Sequence, residues 1–384
     1  GEEITEQLDI IPEEIYVIRN IRHKYACRSC DDAGITTLAL PTQIIPGSIV
    51  TPGLLAYVAA AKYVDGLPLY RMEKIFQRLG VELSRRTLAN WMIQLAATLE
   101  PLLDLLKEQL HHSRVIQMDE TRVQVLDEET RHSYMWVAIS GGSDPPVVCY
   151  RYEASRSGDI PVRLLKEYSG VLVSDGYSGY NAVSQSEGIV SAGCMAHVRR
   201  KFDEAVKAQG SRKTGRAQFA LNKIRKLYAI ERRIKDKDPD EKRIVRQAEA
   251  KPILEEVRVW LDKSIEQVTP KSALGKALNY MRREWDRLLP WLEDGHIPID
   301  NNRCENAIRP FVIGRKAWLF SKSVRGAAAS AAIYSVIESA KANKLEPYHY
   351  LRYVLTEIAA GNQDYPSLLP YNIDRTLLGI RRVG

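Results

Sequence analysis

The sequence lacks the features that would assign it to a membrane, secreted or disordered class. Five cysteines among 384 residues are too few for a disulfide framework, and no basic-then-apolar signal segment opens the chain. No apolar run approaches the roughly 18 to 20 residues that cross a bilayer. With 45% hydrophobic residues, wholesale disorder is excluded as well. We therefore expect a cytoplasmic protein whose cysteines stay in the reduced thiol form and which has no membrane partner.

Positive charge is present, but it is unevenly distributed. The chain has 55 Lys plus Arg and 48 Asp plus Glu, a net charge of +7. From Arg199 to Arg258 there are 19 basic and 10 acidic residues, a net charge of +9, which leaves −2 for the rest. This concentration predicts a surface that binds a polyanion, most commonly nucleic acid. A solvated helical face of mixed sign is the alternative.

Residues 1–50 predict a small β-rich module. The run at residues 14–19 is β-prone, and prolines punctuate the segment. Cys27 and Cys30 form half of a zinc ribbon, but the remaining cysteines are isolated and supply no second pair. We therefore expect no zinc in this chain, unless a pair upstream of Gly1 has been removed.

Residues 51–110 predict a helical domain with a helix-turn-helix. Thr51 and Ser84 are typical N-caps, and a Gly-containing turn joins a helix over residues 68–79 to one over residues 85–100. The second helix leaves polar side chains outward in its N-terminal half, where a recognition helix contacts DNA: Arg85, Arg86, Asn90 and Gln94. Two packed helices without any DNA role remain the alternative.

The rest of the chain predicts an α/β fold with a ribonuclease-H-like core. Residues 111–198 read as three antiparallel strands, a helix, a strand, a helix and a strand, which fits a mixed five-stranded sheet. Residues 199–295 read as a basic helical insertion. Residues 296–345 return to the core, and a C-terminal helix and tail cover residues 346–384.

Three acidic residues are candidates for a metal site. Asp119 and Asp175 stand where apolar strands end, and Glu305 lies in the first turns of a helix that Asp300 could cap. Carboxylates suit Mg²⁺ or Mn²⁺, and two such ions about 4 Å apart drive in-line phosphoryl transfer. Acids at such positions also serve as turn formers or caps. Glu120 is expected to point to the opposite face of the sheet.

Several basic residues, a cysteine and a histidine lie close to these acids in the sequence. The residues expected to contact DNA phosphates lie at the start of the insertion and around Glu305: Arg199, Arg200, Lys201, Arg303, Arg309, Arg315 and Lys316, with Lys322 and Arg325 extending the series. Cys194 and His197 have the spacing of a metal pair, but no two further ligands suggest themselves. We expect them to be a structural, hydrogen-bonded pair near the core.

Several blocks of the sequence together resemble one family. The blocks QMDET, VSDGYSGY, CMAHVRRKF and DNNRCENAIRPFVIGRKAWLFS are similar to transposases of bacterial insertion sequence family 66, and the similarity covers essentially the whole chain. The resemblance implies an Asp-Asp-Glu metal site on a ribonuclease-H-like fold, with Asp119, Asp175 and Glu305 as the triad. It also implies a zinc-binding segment with two cysteine pairs, of which this chain retains only Cys27 and Cys30.

The sequence is therefore interpreted as a Mg²⁺- or Mn²⁺-dependent DNA transposase that uses two ions. It would hydrolyse phosphodiesters at element ends and transfer the freed 3′-hydroxyls to target DNA. The expected partners are double-stranded DNA, further copies of the chain in a synaptic complex, and small accessory proteins of the same element, at the bacterial nucleoid. Two alternatives stay open: a ribonuclease-H-fold nuclease or resolvase without strand transfer, and a non-catalytic helix-turn-helix regulator.

Overall fold

A computed structural model describes residue 7 and residues 14–26, 35–39, 41–130, 132–142, 144–208 and 215–379. Cys27 and Cys30 lie outside these described residues. Near the N-terminus, the two-residue strands β1 (Lys24–Tyr25) and β2 (Thr36–Thr37) pair antiparallel. The predicted strand at residues 14–19 is wrong, because that stretch has no regular structure and Tyr16 and Val17 are exposed.

Four helices follow, much as the sequence predicts. They are α1 (Pro52–Tyr63), α2 (Leu69–Arg78), α3 (Arg85–Thr98) and α4 (Glu100–His112). The hydroxyls of Thr51 and Ser84 accept the backbone N–H groups of Leu54 and Thr87, so both predicted N-caps are confirmed. The inward residues predicted for α3 are buried: Leu88, Trp91, Met92 and Leu95.

A mixed five-stranded sheet forms the centre of the molecule. Its strands are β3 (Val115–Val123), β4 (Ser133–Ser140), β5 (Val148–Glu153), β6 (Gly170–Val173) and β7 (Ile189–Ala192). The spatial order is β5-β4-β3-β6-β7, antiparallel from β5 to β3 and parallel from β3 to β7. The order of three antiparallel strands and two parallel ones agrees with the sequence prediction.

The connections depart from the prediction in one place. A short helix, α5 (Asp159–Leu164), precedes β6 as expected. Between β6 and β7, however, the chain forms only two 3-10 turns, Ser178–Tyr180 and Val183–Gln185, rather than a helix. The tyrosine-rich loop after Asp175 packs onto the sheet through Tyr180, which is fully buried and lies edge-on to Trp136. The buried side chain of Tyr180 therefore covers the part of the sheet that the predicted helix would have covered.

The basic segment that follows the sheet is helical in all of its described residues except the connecting turns. Its helices are α6 (Met195–Ala208), α7 (Arg216–Arg233), α8 (Pro239–Val245), α9 (Lys251–Glu266), α10 (Ala273–Glu284) and α11 (Pro290–Glu293). Their apolar faces form a second hydrophobic cluster that includes Val171 and Val173 of β6. This packing fixes the helical segment against one end of the sheet.

Three longer helices complete the fold. They are α12 (Asn302–Trp318), α13 (Val324–Ala342) and α14 (Pro347–Ala359). Helix α13 lies along the outer strand β5, where the hydroxyls of Ser335 and Ser339 accept the backbone N–H groups of Tyr150 and Val148. These bonds satisfy an edge that would otherwise be open to pairing with another strand. None of the described helices combines the length and apolar composition that a membrane span requires.

Candidate active site

The sheet aligns the first two predicted acids at one of its ends. Strands β3 and β6 are parallel neighbours, and Gln117 pairs with Val173. Two residues further along each strand direction come Asp119, still within β3, and Asp175, just after β6. Because neighbouring strands lie about 4.8 Å apart, this register brings the two residues side by side. They come together through strand pairing, although 56 residues separate them in the sequence.

Asp119 is half-buried, and almost nothing in the described residues compensates its negative charge. Its Oδ1 accepts the backbone N–H of Glu120 at 2.9 Å, and no cation pairs with it among the described residues. Burial and the negative charges of Glu120, Asp175 and Glu305 together raise the pKa of Asp119 to about 7, against that one hydrogen bond. Asp175 and Glu305 are thus both close enough to Asp119 to repel its negative charge.

Asp175 begins a tight turn that long side chains from the helical segment hold in place. Its Oδ1 accepts the backbone N–H of Tyr177 at 2.9 Å, an Asx-type turn. Arg287 donates to the carbonyl oxygen of Asp175 at 3.3 Å and to Ser174 Oγ at 2.7 Å. Arg283 donates to the carbonyl of Gly176 at 3.4 Å. The two arginines therefore hold the chain at Ser174, Asp175 and Gly176.

Glu305 reaches the same region because the start of α12 is attached to β3. Asn301 is fully buried; its Nδ2 donates to the carbonyl of Met118 at 2.8 Å, and its Oδ1 accepts from Gln117 at 3.1 Å. Asp300 Oδ1 accepts the backbone N–H of Asn302 at 3.1 Å, but the N-cap of α12 is Asn301, so Asp300 lies one residue before the capping position that the sequence predicted for it. Glu305 follows one turn later, close enough for its charge to raise the pKa of Asp119.

Glu305 has one cation and one histidine beside it. Arg200 Nη2 lies 3.3 Å from Glu305 Oε2, and His197 Nδ1 lies 3.7 Å from Oε1. His197 Nδ1 and Glu305 Oε1 are both inaccessible to solvent and have no hydrogen-bond partner within the described residues. Burial lowers the pKa of His197, which favours the neutral imidazole. Two buried polar atoms without partners are the signature of a site that holds something further.

The structure adds Cys194 to this neighbourhood. Within the described part of the chain, the one set of three metal-ligand types whose donor atoms all lie within 4.8 Å of one another is Cys194, His197 and Glu305. Asp119, Asp175 and Glu305 do not approach one another that closely. Burial raises the pKa of the Cys194 thiol to about 12, and its Sγ accepts the N–H of Asn301 at 3.2 Å. A buried thiol of this kind is a poor metal ligand because it must first lose its proton.

Glu120 points away from this cluster, as its position in the strand predicts. Its carboxylate is 2% exposed and is held by Arg156 and by the hydroxyl of Tyr180, at 2.6 Å and 2.8 Å. The guanidinium of Arg156 in turn lies 3.5 Å from the ring centroid of Tyr177. Glu120 therefore has the partners that Asp119 lacks.

The residues predicted to bind DNA are placed in three groups. On α3, Arg85, Arg86, Asn90 and Gln94 are all exposed. At the start of the helical segment, Arg199 and Arg200 are exposed and Lys201 is half-buried; on α12, Arg303, Arg309 and Lys316 are exposed. Arg315 is half-buried and donates to Thr121 Oγ1 at 3.1 Å, on the strand that carries Asp119. These positions leave most of the predicted cations free to meet phosphates.

Sequence reasoning missed the residues that hold the acids in place. Arg287 and Arg283 contact the Asp175 turn from more than a hundred positions away, and Arg156 contacts Glu120 across the sheet. An arginine in a charged helix or loop has no local signal that distinguishes it from a solvated one. Only the polar run at residues 300–302 carries a local signal of a supporting role, because consecutive Asp and Asn residues before a helix often bind backbone groups.

Comparison with known families identifies nearly the whole chain. Residues 47–329 match the family described as Transposase IS66 family, and residues 335–371 match the IS66 C-terminal element. Residues 1–31 match the zinc-finger binding domain of transposase IS66. The last match includes Cys27 and Cys30, and it weighs against the expectation that this chain binds no zinc.

Similar proteins occur in Sinorhizobium fredii. Uncharacterized protein y4qI is 34% identical over 99% of this chain and 72% of its own length. Uncharacterized protein y4jD is 33% identical over 97% of this chain and 75% of its own length. Uncharacterized protein y4hP is 30% identical over 98% of this chain and 71% of its own length. The similarity therefore extends over the helical N-terminal part, the sheet and the basic segment alike.

Proposed function

The chain belongs to the IS66 family of transposases, and on that premise we propose that Asp119, Asp175 and Glu305 are the carboxylates at which it cuts and joins DNA. The observation that carries this proposal is the environment of Asp119. Its carboxyl group is half-buried and pairs with no cation among the described residues, and its pKa is raised by desolvation and by the charges of neighbouring acids that include Asp175 and Glu305. A carboxylate that lacks a counter-charge and lies near further acids is suited to a divalent cation.

The donor set fits Mg²⁺ or Mn²⁺. Hard carboxylate oxygens come from within β3, where the sequence had placed Asp119 at a strand end, from the turn after β6 and from α12, and Glu305 Oε1 has no partner in the described residues. Bound there, divalent cations would supply Lewis-acid chemistry at the phosphodiester. Two ions are expected because cleavage and joining are both in-line phosphoryl transfers. The Cys194 thiol, with its raised pKa, makes the softer Cys194–His197–Glu305 set the less suitable one.

The surrounding residues have separate tasks. Arg287 and Arg283 keep the Asp175 turn in one conformation, and Arg200 orients Glu305 from its outer side. Arg199, Arg200 and Lys201, with Arg303, Arg309, Arg315 and Lys316 on α12, would hold the phosphates on either side of the cleaved bond. Cys194 keeps a structural role, since it accepts an N–H from the segment that begins α12.

We also infer that the sheet is a ribonuclease-H-like core and that α2 and α3 act as a helix-turn-helix. The sheet order β5-β4-β3-β6-β7, with acids at β3 and after β6, supports the first inference. The exposed Arg85, Arg86, Asn90 and Gln94 on a Ser84-capped helix support the second. Recognition of element ends by α3 and by the zinc-finger segment would require two copies of the chain, one for each end.

A nicking assay on DNA that carries the element ends tests the proposal. Asp119→Asn, Asp175→Asn and Glu305→Gln should each lower Mg²⁺-dependent cleavage by roughly 10³-fold and leave DNA binding intact. Asp127→Asn is the matched control, because Asp127 is an exposed acid close to the end of β3 and should cut like the parent. Cleavage by all three variants at the parental rate would show that the triad is wrong. Cleavage without joining to target DNA would favour a nuclease or resolvase.

A further inference from the structure

A groove lies between α6 and α10, next to the turn that carries Asp175. It has a volume of about 950 Å³, and we call it the α6–α10 groove. Four of its lining residues are basic and one is acidic: Lys201, Lys276, Arg282 and Arg283, against Glu204. Tyr280 and Asn279 complete the polar part of the lining. None of the residues from α10 was singled out by the sequence analysis.

The groove begins directly beside the proposed active site. Arg283 donates to the carbonyl of Gly176, the residue after Asp175. A side chain at Gly176 would place its Cβ 2.7 Å from the hydroxyl of Tyr280, so only glycine permits this approach. Through Arg283 and Tyr280, the lining of the groove therefore contacts the residue that follows Asp175.

Two of the four cations in the groove are free. Lys201 lies 3.3 Å from Glu204, and Arg283 lies 2.8 Å from the buried Glu284. Lys276 and Arg282 are exposed and form no ion pair with any described residue. Unpaired cations that line a concave surface attract phosphates and release counterions when they bind them.

The lining of the groove favours a single strand. Helices α6 and α10 both contribute buried side chains, Ala205 and Leu278 among them, to the second hydrophobic cluster, so the groove is a depression on the surface where the two helices meet. Tyr280 adds a ring to the lining, with the Arg283 guanidinium 5.1 Å from its centroid. Aromatic rings among cations are typical of single-strand sites.

We propose that the α6–α10 groove binds a single DNA strand adjacent to the phosphodiester that is cut at Asp175. The identity of that strand rests on the proposed function. Binding of single-stranded DNA as such does not, because it follows from the unpaired cations and the aromatic ring in the lining of the groove. Lys276 and Arg282 contact phosphates, and the Tyr280 ring stacks on a base.

Fluorescence anisotropy with the full chain and a labelled oligothymidylate tests this proposal. The double variant Lys276→Ala/Arg282→Ala should bind about tenfold more weakly at low salt. It should also shift the slope of log affinity against log salt by about 1.4, since each cation contributes roughly 0.7 on a single strand. The control is Lys344→Ala/Arg352→Ala, which removes two exposed cations outside both the groove and the basic segment and should bind like the parent.

Each outcome supports or overturns the proposal. Equal affinity and slope in the groove variant and the control would overturn it. A matching loss on a blunt duplex would overturn its single-strand character, since the groove variant should bind duplex as the parent does. The outcome is separable from the catalytic assignment: the triad variants should bind oligothymidylate normally. If the groove variant loses oligothymidylate binding while the triad variants still cleave DNA, the catalytic assignment is wrong and the single-strand site is supported.

Discussion

The two faces of β3 carry neighbouring acids that the fold treats in opposite ways. On one face, the carboxylate of Glu120 accepts hydrogen bonds from Arg156 and Tyr180. On the other, Asp119 has a single backbone N–H and two further acids nearby. Both side chains are largely buried, so burial does not distinguish them. The presence of a counter-charge does: Glu120 has its cation within the fold, whereas we propose that a divalent metal ion supplies the counter-charge of Asp119.

The largest expected effect comes from neutralising Asp119. Asp119→Asn should lower cleavage by roughly 10³-fold and, in metal-free buffer, stabilise the protein by about 1 to 2 kcal/mol, because it removes a buried charge that repels its neighbours. Thermal unfolding in EDTA measures the second effect. Loss of activity together with lower stability would show that Asp119 is already compensated in the fold.

The same variant has a definite pH dependence. The folded state raises the pKa of Asp119 from 3.8 to about 7, so the folded protein holds a proton there that the unfolded chain has released. The stability that Asp119 contributes is therefore lost as pH rises through about 7. The advantage of Asp119→Asn in EDTA should grow between pH 5 and pH 8. An advantage that shrinks over this range would contradict the assignment.

A substitution on the Glu120 face of β3 should lower the stability of the protein, which is the opposite of the effect expected for Asp119→Asn. Arg156→Leu leaves the buried Glu120 carboxylate without its cation, and we expect a loss of about 3 kcal/mol in the free energy of unfolding. Chemical denaturation measures it. Arg163→Leu is the control: its partner Glu153 is more exposed than Glu120, so the loss there should stay below about 1 kcal/mol. Equal losses in the two variants would remove the distinction between the two faces.

A smaller effect is expected where the helical segment holds the Asp175 turn. Arg287→Met removes the bonds to Ser174 and to the Asp175 carbonyl. The Mg²⁺ concentration for half-maximal cleavage should rise about 10- to 100-fold, as is typical when groups behind metal ligands are lost. The rate at saturating Mg²⁺ should change less.

Arg258→Met is the matched control for that experiment. Arg258 belongs to the same helical region, but it pairs with the exposed Asp262. Its loss should leave the Mg²⁺ dependence unchanged. If both variants behave like the parent, Arg287 does not position the metal site.

Features set by neighbouring residues were predictable from the sequence. The N-caps Thr51 and Ser84, and the alternation that separates Asp119 from Glu120, depend only on residues close in the chain. The helix that carries Glu305 continues through Pro310 to Trp318. Gly314 allows α12 to approach Tyr334, whose hydroxyl would lie 2.6 Å from an added Cβ. Tertiary packing therefore keeps α12 helical through Pro310, although a proline inside a helix usually breaks or kinks it.

Contacts between distant residues could not be predicted in the same way. The arginines that hold the Asp175 turn, the proximity of His197 to Glu305 and the α6–α10 groove all depend on how the helical segment folds back onto the sheet. The predicted strand at residues 14–19 failed for a related reason. Alternating side chains favour a strand only when one face is buried, and no described element covers Tyr16 or Val17.

The most direct test of the account is a crystal of the full chain soaked with Mn²⁺ and measured for anomalous scattering. The account predicts a peak bounded by carboxylate oxygens of Asp119 and Asp175, with Glu305 next to it, and no such peak in Asp119→Asn. A peak held instead by Cys194, His197 and Glu305, with Asp119 and Asp175 not involved, would contradict it.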